Sequence, residues 1–185
     1  MTAREFDPLR LDVAVFAKEA GQLDGRWPLR SLERVASSTV AGDGVAEEVE
    51  VRWSARGERR SAHGGEAQIR LHLQANAQVL QECQRCLSPV RVPLSIERSF
   101  LFVHGEDTAA RLDADSEDDV LALTRSLDVR ELVEDELLLA MPLVPRHELC
   151  PEPLKVPASA DEHTTDFVQP NPFAALEALK RSRLN

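Results

Sequence analysis

At 185 residues, with 43% apolar residues but only 4% aromatic ones, the chain fits a single domain whose core is built mainly from Leu, Val and Ala. A formal net charge of −10 repels phosphate backbones at long range, so nucleic-acid binding by the surface as a whole is disfavoured; a local basic patch or a partner protein remains as the link to RNA. The longest apolar stretch, 137–145, is too short to span a membrane and is broken by Pro142, and the absence of an apolar leader together with an odd count of 3 cysteines points to reduced thiols in the cytoplasm.

In chain order, residues 7–20 have the spacing of a helix. Asp7 stands at the cap, Pro8 at the first helical position, Leu9, Val13, Phe16, Ala17 and Ala20 on one face, and Gly21 at the stop. Alternation from Leu9 to Val15 is the competing strand reading. A short helical turn is expected after Pro28. V-E-V-R-W at 49–53 predicts a strand. I-R-L-H-L-Q-A-N-A-Q-V at 69–79 alternates without a break, so Ile69, Leu71, Leu73, Ala75, Ala77 and Val79 should face a core and Arg70, His72, Gln74, Asn76 and Gln78 should face out. V-R-V-P-L-S-I-E at 90–97 alternates in the same way, and Pro93 places it at an edge or a bulge. The fold class is therefore α+β: an antiparallel sheet of several strands with a few packed helices.

Residues 105–126 are acidic and read as a solvated loop. Asp128 and Glu131 then match a capping box, Val129, Leu132, Val133, Leu137 and Ala140 form an apolar stripe, and Pro142 ends the helix. The organisation expected is one α+β domain over 1–150, a proline-rich linker over 151–170 and a short terminal helix over 171–185, with an apolar edge of Phe173, Leu176 and Leu179 and the basic residues Lys180, Arg181 and Arg183 behind it.

All three cysteines fall within two ligand-like pairs: Cys83 and Cys86 in C-Q-R-C, between two strands, and His147 and Cys150 in H-E-L-C, after the proline-ended helix. A tight turn with this spacing presents two donors to one ion, so the four residues fit a tetrahedral, structural zinc site. The bland alternative is small buried side chains and a solvent histidine. A thiol-redox or metal-dependent enzyme using Cys83 and Cys86 is the functional alternative, but redox pairs sit at a helix N-terminus after a parallel strand, and this pair does not. No nucleophile elbow, Walker A or dinucleotide fingerprint occurs, and E-D-E at 134–136 reads as a charged outer helix face. Arg85, Arg91 and Arg98 gather near the cysteine turn as candidate phosphate contacts. Phe173, Leu176, Lys180 and Arg181 are candidate partner contacts on the terminal helix.

E-C-Q-R-C in a turn, V-E-D-E-L-L-L-A-M-P-L-V-P-R-H-E-L-C, and P-N-P-F-A-A-L-E-A-L-K, in that order, resemble the YceD family. The resemblance implies a cytoplasmic, non-enzymatic factor in synthesis, processing or stability of 23S ribosomal RNA. Its partners would be that RNA or a large-subunit ribosomal protein, with neither a membrane nor a small-molecule substrate. It also implies that the cysteine turn carries over to Cys83 and Cys86. Many members have further cysteines after the proline-ended helix; here His147 and Cys150 stand there, so one ligand to a metal would be nitrogen.

Overall fold

The computed structural model describes residues 5–40, 49–61, 67–116 and 118–151. The linker expected beyond Pro151 and the terminal helix, with Phe173, Leu176, Lys180 and Arg181, lie outside the described residues. The described residues form five strands and four α-helices: α1 (Val13–Lys18), β1 (Gln22–Pro28), α2 (Glu33–Ser37) after a 3-10 turn at Leu29–Ser31, β2 (Glu50–Arg60), β3 (Gln68–Glu82), β4 (Pro89–Val103), α3 (Glu106–Asp113), β5 (Asp119–Ala122) and α4 (Val129–Ala140). The strands form one sheet in the order β1-β2-β3-β4-β5, and the fold class is α+β.

Pairing is antiparallel from β1 to β4, and β5 joins β4 in parallel over Phe100–Val103. The sheet is therefore mixed rather than antiparallel throughout. The register puts Leu71 opposite Phe100, Ala75 opposite Ile96 and Val79 opposite Val92. Leu71, Leu73, Ala75 and Val79 are buried, and Gln74, Asn76 and Gln78 are exposed, as the alternation requires. Arg70 and His72, expected to face out, are half-covered because each has a partner on the same face. Arg70 donates to Asp118 at 2.7 Å, and His72 Nε2 lies 2.8 Å from Glu58. On the outer side of Pro93 no described strand pairs with β4, so the missing donor leaves no ladder bond unfilled there.

The first helix is shorter than its sequence suggests. Leu11 exchanges both backbone hydrogen bonds with Leu127, at 2.8 and 2.9 Å, so the helix cannot begin before it. Asp12, not Asp7, caps α1 by accepting the Val15 N–H at 3.1 Å, while Asp7 closes a turn onto the Leu9 N–H. Ala20 takes the left-handed conformation at φ 48°, and Gly21 is required because a Cβ there would collide with the Phe16 ring.

The acidic segment 105–126 is not a loop. It holds α3 and β5, with Ala109 and Val120 buried between them. Asp113 accepts the Val120 N–H at 2.9 Å, so one of the acidic residues is spent on backbone structure rather than on solvent. Helix α4 follows its reading closely. Asp128 accepts the Arg130 and Glu131 N–H groups at 2.8 and 3.1 Å, and Val129, Val133 and Leu137 are buried. Ala140, expected on the apolar stripe, is exposed because the last turn runs off the edge of the core.

Strand β1 had no sequence expectation; only Leu23 and Trp27 carry apolar side chains there. It is held by stacking of Trp27 on Trp53, ring centroids 4.3 Å apart. No described helix is long and apolar enough to cross a membrane.

Candidate metal centre

The long β3–β4 hairpin ends in the C-Q-R-C turn. Cys83 closes it on both sides: its N–H donates to the Ser88 carbonyl at 3.0 Å and its carbonyl accepts the Leu87 N–H at 2.8 Å. The second pair arrives from α4. Pro142 cannot continue the helix, and the chain turns back so that the buried Pro145 carbonyl accepts the Gln84 N–H at 2.9 Å. That bond sets His147 and Cys150 over the turn.

One donor atom from each of Cys83, Cys86, His147 and Cys150 lies within 4.8 Å of all the others. Cys83 Sγ is 3.9 Å from Cys150 Sγ, and Cys86 Sγ is 3.4 Å from His147 Nδ1. Tetrahedral bonds to zinc place neighbouring ligand atoms about 3.3–3.8 Å apart, so these two gaps match to within a few tenths of an ångström. His147 Nε2 lies 3.1 Å from the Pro89 carbonyl. A proton on Nε2 is donated there, which leaves the Nδ1 lone pair facing the sulfurs. The cysteines are all free thiols.

The turn also favours thiolates. Burial pushes the Cys83 thiol up, but the backbone N–H groups of His147, Arg85 and Cys86, with the His147 ring, outweigh it and hold the thiol at about 5. The Ser88 N–H lowers Cys86 against its own burial. Burial raises Cys150, with Arg85 opposing. His147 is raised, first by Cys83 and despite its own desolvation. Low thiol pKa values and converging soft donors are what metal capture needs.

Arg85 is exposed but engaged. Its Nε donates to Cys150 Sγ at 3.0 Å, and its Nη2 to the carbonyls of His147 and Glu148 at 3.0 and 3.2 Å. The guanidinium straps the second ligand pair onto the first and compensates thiolate charge. Arg98 is also engaged, its Nε donating at 2.9 Å to the buried Glu136 on α4. Arg91 is exposed and lines a cavity with Arg146 and His147. Of the three arginines singled out near the turn, two thus have structural partners. Sequence gives no signal for the Pro89 and Pro145 carbonyls, because a backbone acceptor is the same at every residue.

The model of the large ribosomal RNA subunit accumulation protein YceD matches residues 71–180, which include all four converging residues. A relative from Haemophilus influenzae, named large ribosomal RNA subunit accumulation protein YceD, is 31% identical over 184 residues, 94% of this chain and 96% of its own. No solved structure matches. With the cysteine turn and α4 both inside the matched span, the chain belongs to the YceD family of large ribosomal RNA subunit accumulation proteins.

Proposed function

We propose that this chain promotes accumulation of 23S ribosomal RNA in the cytoplasm by binding, not by catalysis, and that Cys83, Cys86, His147 and Cys150 hold a structural zinc ion. The observation that carries this reading is the convergence of four protein ligands. A catalytic zinc keeps one position open for water or substrate, and a Cys3His shell closes all of them. Zinc here pins the loop after α4 to the β3–β4 turn and makes a shaped end to the domain. The enzyme alternative is weaker: Cys83, whose thiol is held at about 5, is wholly covered and cannot reach an external disulfide. The partner is the ribosomal RNA itself or a large-subunit ribosomal protein.

Metal analysis of the purified reduced protein with thiol titration tests the zinc. One zinc per chain with unreactive cysteines is expected; one reactive thiol and no metal would replace this reading with the redox one. In cells lacking the protein, 23S RNA should fall and be restored by the native chain but poorly by Cys86→Ser. The terminal segment with Phe173, Leu176, Lys180 and Arg181 is proposed as a recognition element. Truncation after Gln169 is then expected to leave the melting temperature unchanged and to abolish association with ribosomal RNA or precursor particles.

A further inference from the structure

Among the described residues, seven large apolar side chains are exposed, and five of them, Leu87, Leu139, Leu143, Val144 and Leu149, lie in the cysteine turn or between the end of α4 and Cys150. Leu143 is 98% exposed and Leu149 89%. Scattered surface leucines are ordinary, whereas a concentration on one built feature is not. These leucines are held in place. The Gln84–Pro145 hydrogen bond and the Arg85 strap tie the two loops together, and the four converging ligands stand between them.

Leu87 adds an independent observation. It takes φ 61°, a conformation that L side chains disfavour and glycine adopts freely. Turn closure needs that backbone, but it does not need a leucine. A strained position is filled by an apolar side chain that is 63% exposed, so the side chain is wasted unless something covers it.

We infer that the apolar collar formed by Leu87, Leu139, Leu143, Val144 and Leu149 around the Cys3His cluster is the docking surface for a basic protein that presents its own apolar anchor. The sign of the partner follows from the net charge of −10, which attracts a cationic protein and repels both a second copy of this chain and a polyanion. Glu148 stands exposed beside Leu149, and the exposed Arg91 and Arg146 line the neighbouring cavity. RNA is disfavoured by the side chains as well, because aliphatic residues offer no ring on which a base can stack. This inference rests on the reading of the chain as a binding factor and assigns the partner class at that site.

The test uses the full zinc-loaded chain and, as probes, the individual purified proteins of the large ribosomal subunit, freed of RNA, together with a 23S RNA transcript. Two double variants are compared with the native chain: Leu143→Ser with Leu149→Ser, and Leu143→Glu with Leu149→Glu. Both positions are outside the core, and unchanged zinc content and melting temperature confirm the fold. At least one basic protein is expected to bind, with affinity falling by about tenfold or more in both variants, as loss of interface anchors does. The glutamate variant separates mechanisms by sign. Added negative charge strengthens a purely electrostatic attachment and weakens an apolar one. The inference is overturned if none of the proteins binds, if neither variant weakens binding, if the glutamate variant binds more tightly, if only the RNA transcript is affected, or if the variants instead abolish self-association in sedimentation. The broader reading fails on different evidence, namely absent zinc and undiminished 23S RNA in cells lacking the protein.

Discussion

Glu136 is the one charged residue buried among the described side chains, 7% exposed on the sheet side of α4. A carboxylate is tolerated there because Arg98, on the helix-facing side of β4, donates to it at 2.9 Å. Arg98 is itself half-exposed, so the Coulomb attraction is partly screened; what matters more is that Glu136 keeps a hydrogen-bond donor. Arg98→Ala should therefore cost about 1–3 kcal/mol in chemical denaturation, the penalty for a buried acceptor left without a donor. Replacing both partners, Arg98→Met with Glu136→Leu, should recover most of that loss. Equal destabilisation by the single and double variants would show that the site depends on shape rather than on the polar pair.

At the scale of elements, α1 crosses β2 closely enough that side-chain size on the strand is decisive. A Cβ on Gly57 would sit 2.9 Å from the Ala17 backbone and 2.7 Å from the Phe16 ring. The Gly57 N–H donates to the Gly21 carbonyl at 2.9 Å, so the strand has little freedom to retreat. Gly57→Ala is expected to destabilise by about 1–3 kcal/mol through overpacking, measurable as a lower denaturation midpoint at unchanged slope. Leu73, fully buried at the centre of β3, should cost about 2–5 kcal/mol when cut to alanine, because the side chains around it can only partly close the space. A shift indistinguishable from zero would refute its place in the core. The alternation over 69–79 made this strand legible in the sequence, since a period of two is a local property that every native partner preserves. Strand β5 was not legible. Four residues in an acidic run carry no such period, and only pairing with β4 makes them a strand.

For the whole molecule, the Cys3His cluster joins parts of the chain far apart in sequence, the β3–β4 turn and the segment after α4. Metal bound there stabilises the folded state by mass action, so chelation should lower the melting temperature and loosen 142–150 before the sheet. Identical melting curves with and without chelator would remove the structural role. The pH dependence has a definite sign. Cys150 is raised by burial, so its thiol holds a proton that a metal must displace, whereas Cys83 at about 5 is already a thiolate at neutral pH. Zinc affinity should thus rise with pH through neutrality, with proton release on binding reduced in Cys150→Ser; calorimetry in buffers of different ionisation enthalpy reads both.

Local sequence sufficed for the α+β class, the alternating strands, the capped and proline-ended α4, and the pairing of Cys83 with Cys86 and of His147 with Cys150 into ligand-like units. Each of these depends on residues a few positions apart, where periodicity, caps and turn spacing act directly. What depends on distant partners came only with folding. Leu127 shortened α1 by claiming Leu11, β4 turned an acidic segment into a parallel edge strand, and Pro145 brought the two ligand pairs together. Folding also engaged Arg85, a candidate RNA contact, as a strap over Cys150. One cause is common to all four. A backbone carbonyl or a thiolate attracts whichever donor the fold brings within about 3 Å, and nothing in the local sequence records which donor that will be.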